Sequence, residues 1–321
     1  MPDSVTAHAI REPTAIVGAG ALGQTLAHAL AEHAIPLTAI ISRTQADAEA
    51  LATHVNAPRA SNRVADLPAD TARVLFCVPD AQLSDVARSL AETPHRTAPW
   101  MAVHFSGAHP ANVLKPLRTC GAALLSAHPL QTFTPATPPS AFEGIQMTIE
   151  GDAEALSYGE ALAQELGATP QRLSSKAKPL YHLAAVLASN GLVALLVLAQ
   201  RVWAAADLNP DEAFAALAPL IETTWANVQR DGAAALTGPA ARGDDATIAA
   251  HLRALQSLNA QEEDAPRSDH TVEMLYATLT EVMLRIQQDQ DALSKVDAGR
   301  VRTVMRHVRT SPSAKNDTPE T

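Results

Sequence analysis

Aromatic residues are scarce in this 321-residue chain, 3% in all, so its core must be built from small aliphatic side chains, which suits closely packed helices. Cysteine is scarcer still. Cys77 and Cys120 fit no ligand spacing, which excludes a disulfide framework and a zinc site, and no metal is expected. Cys77 lies inside the apolar run VLFCV and reads as a small core residue. Positive charge is also short: 24 Lys and Arg stand against 34 Asp and Glu, a net charge of −10. That balance argues against a nucleic-acid partner or an anionic membrane surface, although one Arg at a helix N-terminus suffices for a local phosphate site. The N-terminal residues include Asp3, Arg11 and Glu12 and no apolar segment of signal-peptide type, so the expected location is the cytoplasm. The one long apolar run, residues 183–199, is barely long enough to span a bilayer and contains Ser189, Asn190 and Gly191. It reads as a helix buried between domains or subunits rather than a membrane span.

What remains is a globular composition, 47% hydrophobic and 18% charged, long enough for two domains. From Thr14 the pattern is strand (TAIV), glycine turn (GAGALG) and helix (QTLAHALAEHA). Further strands are expected at residues 37–41, 73–78, 100–105, 122–126 and 144–150, with helices between the earlier ones. This alternation predicts an α/β fold: a Rossmann-type doubly wound parallel sheet over residues 12–150. An all-α domain for substrate binding and dimerisation is expected over residues 151–310, with a disordered tail at 311–321.

Gly18, Gly20 and Gly23, with Ala19, Ala21 and Leu22 between them, form a GxGxxG loop after a strand and before a helix, the context that makes it a dinucleotide site. The first glycine permits the turn, the second admits a pyrophosphate, and the third lets helix and strand pack closely. At the end of the second strand, where NAD sites usually place an acid, stands Ser42-Arg43-Thr44. Arg43 suits a 2′-phosphate, so NADP is expected ahead of NAD. Val78, Pro79 and Asp80 end the central strand and should border the cofactor, although Asp80 serves equally well as a helix cap.

Four polar clusters are candidates for the chemistry. His104-Phe-Ser106-Gly107 and His128-Pro-Leu-Gln131-Thr132-Phe133 should emerge at strand C-termini. There Ser106 and Gln131 orient a polar substrate group and His128 moves a proton, unless the imidazoles are structural. Lys178, His182 and Ser189 fall on one helical face, with Asn190 further round. Such a stripe on an apolar helix must be satisfied by a ligand or by a buried network. Arg242, in LTGPAARGDD, is a candidate grip for an anionic substrate or else a loop-fixing salt bridge.

Together GAGALG, HFSGA, HPLQTF, KPLYHLAAVLASN and LTGPAARGD, spread over residues 14–260, resemble a family of bacterial Rossmann-like oxidoreductases whose second domain has no assigned function. That domain is similar to the helical domain of phosphogluconate dehydrogenase, pyrroline-5-carboxylate reductase and ketopantoate reductase. The resemblance implies two domains and a helix-mediated homodimer. The chain departs from β-hydroxyacid dehydrogenases, which place Asn four residues after the Lys; here that position is His182. The expected function is an NADP(H)-dependent oxidoreductase acting on a small anionic carbonyl, imine or alcohol. The alternative is a dinucleotide-binding sensor or assembly protein without turnover. The expected catalytic set is Lys178, His182, His128 and Ser106, with Gln131, Asn190 and Arg242 binding substrate.

Overall fold

The computed structural model describes residues 10–93, 99–261 and 271–310. The chain divides into two compact units, one running to Gly191 and the other starting at Leu192. The first is built on an eight-stranded sheet: β1 (Thr14–Val17), β2 (Leu37–Ile41), β3 (Ala60–Ser61), β4 (Arg73–Phe76), β5 (Trp100–His104), β6 (Ala122–Pro129), β7 (Gln146–Gly151) and β8 (Thr169–Arg172). Their order is β3-β2-β1-β4-β5-β6-β7-β8. The first six strands are parallel, β7 runs antiparallel to β6, and β8 is parallel to β7. This is the expected Rossmann-type order, with the crossover at β1 and β4 beside the glycine loop.

Both faces of the sheet are covered, which is why β1 and β4 read as unbroken buried runs. On one face α1 (Ala21–Glu32), α2 (Gln45–His54) and α4 (Ala153–Glu165) bury Leu26, Leu30, Leu51 and Leu162 against Ile16 and Leu125. On the other, α3 (Leu83–Ala91) and a 3-10 helix at Ala111–Cys120 bury Leu83, Leu90, Leu114 and Leu117. Thr44 caps α2 by accepting the Asp47 N–H.

The compact unit that holds the sheet continues past the boundary read at residue 150, as it does when the last strand and helix are counted with the first domain, because α4 packs on the sheet and β8 extends it. The strand β8 escaped notice because its sequence, TPQR, has no apolar alternation and is mostly exposed at the sheet edge. The apolar run expected as one buried helix is two helices, α5 (Lys178–Ala188) and α6 (Asn190–Ala205), broken at Ser189. Its apolar side chains are exposed: Leu180 is 73% and Leu187 65% accessible.

In the second unit α7 (Ala213–Asp231), α8 (Pro239–Arg242), α9 (Asp245–Gln261), α10 (Thr271–Asp289) and α11 (Lys295–Thr310) follow. Ile248, Leu252, Leu284 and Val301 form its core. Asp244 caps α9 by accepting the Thr247 N–H. The tail at 311–321 lies outside the described residues.

Candidate active site

The glycine loop has the geometry that its sequence requires. Gly18 sits at φ +112°, and a Cβ there would lie 2.4 Å from the Cys77 carbonyl oxygen. At Gly23 a Cβ would lie 1.9 Å from the Gly18 carbonyl oxygen, so α1 packs on the loop as only glycine allows. Gly20 differs: nothing lies within 4 Å of its Cβ position, and the residue is exposed. No side chain caps α1 and its first turn holds no acid, which leaves the N–H groups at Ala21 and Leu22 and the positive end of the helix dipole for an anion. The space above Gly20 and these N–H groups fit a pyrophosphate. Ser42 is buried at the end of β2, and the Thr44 hydroxyl is occupied by Asp47. Arg43 is exposed and makes no hydrogen bond or ion pair among the described residues. Val78 and the exposed Pro79 and Asp80 follow β4.

The C-terminal ends of β5 and β6 and the first turn of α5 enclose a polar cluster, all within the first unit. Lys178 is 0% accessible, and its Nζ donates to the Ser126 Oγ at 2.8 Å and the Ser106 carbonyl at 3.1 Å. Burial pulls its pKa down to about 8, partly offset by the charges of Glu150 and Asp80. The Ser106 hydroxyl donates to Asp80 at 2.8 Å and accepts the His109 N–H at 3.0 Å. His104 is completely buried and accepts the Ser106 N–H at Nδ1, 3.1 Å. Burial, then the Lys178 charge, lowers its pKa to about 3, so the imidazole is a neutral acceptor. Glu150, on β7, takes the Ala111 N–H and the Ser175 hydroxyl at 2.6 Å each, fastening the segment that leads into α5.

Above this layer His128 meets the Tyr181 hydroxyl through Nδ1 at 2.8 Å. Burial, then Lys178 and His182, lowers the His128 pKa to about 4, while burial raises that of the Tyr181 phenol. His182 crosses His128 edge-on with ring centroids 6.3 Å apart, and its buried Nδ1 has no partner among the described residues. Gly107 admits the two rings: a Cβ there would lie 2.6 Å from the His182 Nδ1 and 2.8 Å from the His128 Nε2. Beside them opens a cleft of about 460 Å³, lined by His128, Tyr181, His182, Gln131, Ser189 and Asn190 together with several alanines. None of its lining residues is an acid, a lysine or an arginine.

The four residues expected to do the chemistry are thus neighbours, but in two tiers. His128 and His182 line the cleft; Lys178 and Ser106 lie under it, held by hydrogen bonds. Gln131 and Asn190 line the cleft, whereas Arg242 ends α8 in the second unit. The candidate set lacked Tyr181, His104 and Glu150. Tyr181 was within reach of the sequence, because it lies three residues after Lys178, one turn along the same helix.

Two family models match the chain: a Rossmann-like domain over residues 1–129, and a domain of unknown function, DUF2520, over residues 145–283. No curated protein matches its sequence. Among solved structures it is similar to BF3122 from Bacteroides fragilis, provisionally named an NADP oxidoreductase, at 25% identity and a TM-score of 0.69, covering 86% of this chain and 99% of that one. Protein TM1727 from Thermotoga maritima gives 24% identity and a TM-score of 0.62, with 87% and 99% covered. A reductive aminase from Aspergillus terreus, solved with NADPH and ethyl levulinate, shares the fold at 17% identity and a TM-score of 0.55, with 94% and 95% covered.

Proposed function

We propose that this chain is a cytoplasmic, NADP(H)-dependent oxidoreductase that interconverts a small carbonyl or imine with the corresponding alcohol or amine. The observation that carries the cofactor reading is Arg43, an exposed guanidinium without an ion-pair partner among the described residues, standing at the end of β2 where a ribose-binding acid would otherwise be. The name of the Bacteroides fragilis relative supports the same reading. Gly18 to Gly23 and the α1 N-terminus would hold the pyrophosphate, and Arg43 the 2′-phosphate. The bound dinucleotide would supply or accept a hydride. This chain's own residues then hold the reacting group in the cleft and serve its heteroatom.

The test is calorimetric titration with NADPH and NADH. Arg43→Ala should weaken NADPH by about 10- to 100-fold, equivalent to about 1–3 kcal/mol for a lost charged hydrogen bond, and leave NADH unchanged. Equal affinity for both cofactors, unmoved by the substitution, would sink the assignment.

We also propose a homodimer through the helical part of the chain. Exposed apolar side chains run along α5, α6 and α7, among them Leu187, Val193, Leu220 and Trp225 at 61–65% accessibility. By length and composition residues 178–205 would also cross a membrane. A second copy is the better cover, because Lys178 at the start of that stretch is locked under β5 and β6. Light scattering should give twice the chain mass at micromolar concentration without detergent; a monomer would overturn the proposal.

A further inference from the structure

We infer that the Tyr181 hydroxyl, held by His128, binds the substrate's carbonyl oxygen or imine nitrogen and gives it a proton. The inference rests on the oxidoreductase reading above and names the acid that this reading leaves open.

The other polar groups near the cleft are buried, already engaged or uncharged. Lys178 has no accessible surface, and its ammonium already serves Ser106 and Ser126. His104 is equally inaccessible and takes the Ser106 N–H. The Ser106 hydroxyl is committed to Asp80. His128 lines the cleft, but with its pKa near 4 it is uncharged at neutral pH and therefore a poor acid. His182 lines the cleft too, but its buried Nδ1 faces Gly107 rather than open space, and no hydrogen bond orients its ring among the described residues. Tyr181 is half-buried, borders the cleft, and carries an O–H whose oxygen is 2.8 Å from the His128 Nδ1.

The pair works in one sense. With the proton of neutral His128 on Nδ1, the imidazole donates to the phenol oxygen, and the phenol O–H is left for a second acceptor, which is the neighbouring Thr148 hydroxyl until a substrate heteroatom in the cleft takes its place. Burial and the Lys178 charge keep His128 neutral, so the hidden lysine sets the pair without touching the substrate. In the reductive direction the carbon of the C=O or C=N bond gains a hydrogen with two electrons from the reduced nicotinamide. The π bond breaks toward the heteroatom, and the heteroatom takes the Tyr181 proton. The phenolate, stabilised by the His128 N–H, recovers a proton from water. Transfer from a phenol to an alkoxide runs downhill, so a raised phenol pKa is no obstacle.

Tyr181→Phe removes the hydroxyl and keeps the ring, and a half-exposed position tolerates the change. With ethyl levulinate as probe, the infrared stretch of its ketone is read in the complex with the protein and NADP+. We expect a shift to lower frequency in the parent protein, its loss in Tyr181→Phe and a smaller shift in His128→Gln, with cofactor affinity unchanged in both. Any NADPH-dependent reduction of the probe should fall about 100-fold in Tyr181→Phe. No shift in the parent protein, or the same shift in Tyr181→Phe, overturns the inference while leaving cofactor binding intact. Absence of NADP+ or NADPH binding in the parent protein instead defeats the oxidoreductase reading on which it rests.

Discussion

Replacing Lys178 with methionine should cut turnover by about 100-fold, as much as loss of the acid that it positions, while NADPH affinity stays within a factor of about two. The lysine does not reach the cleft, so the loss would come through its neighbours. The Ser106 carbonyl and the Ser126 hydroxyl lose their common donor, and His128 loses a positive charge that, after burial, helps hold its pKa down. A second signature separates this role from simple misfolding. The Lys178 pKa is lowered from 10.5 to about 8, so between those values the unfolded chain holds a proton that the folded chain has released. Stability conferred by this group therefore rises as pH increases through that window, by about 3 kcal/mol in total, and below pH 8 the buried charge is a standing cost. Denaturation curves of the parent and Lys178→Met should diverge across pH 8 to 10.5, with only the parent gaining. Parallel curves, or full activity in the methionine variant, would remove Lys178 from the site.

The second large effect is expected at Gly23. Its Cβ would lie 1.9 Å from the Gly18 carbonyl oxygen and 3.3 Å from the Cys77 Cβ. The first obstacle is backbone, and the Gly18 N–H is itself fixed to the Ile41 carbonyl at 2.7 Å. The loop and α1 must therefore separate. Gly23→Ala should cost about 3 kcal/mol of stability by overpacking and weaken NADPH more than about 100-fold. Gly20→Ala provides the contrast. Nothing surrounds its Cβ position and its φ is −74°, so the free protein should keep its melting temperature while cofactor binding weakens. Thermal melts with and without NADPH read both effects; equal melting temperatures for the two variants would contradict the packing argument.

The parts of the fold legible in the sequence were those whose residues act locally. GAGALG announces its turn because glycine alone meets the φ of residue 18 and the contact at residue 23. The buried parallel strands announce themselves as apolar runs. The edge strand β8 was invisible because nothing in TPQR faces a core on both sides. The site was half legible for a similar reason. Helical periodicity puts Lys178 and His182 on one face, but it cannot tell which of them is buried under β5 and β6 and which reaches the cleft. Glu150 was passed over because its role depends on partners far along the chain, Ala111 and Ser175.

The Glu150 latch and the break at Ser189 bear on how such a protein changes over evolutionary time. The Rossmann-like match stops at residue 129, and the DUF2520 match begins at 145. His104 and His128 fall on one side of that seam, Lys178, Tyr181 and His182 on the other. The compact unit ignores the seam and runs to Gly191. A recombination event at the family seam would part the lysine from the imidazoles it governs. An exchange after Ser189 would transmit the polar cluster whole with its cofactor loop and free the remaining helices to diverge. Inheritance should therefore couple the first two turns of α5 to the sheet more tightly than to the helices that follow.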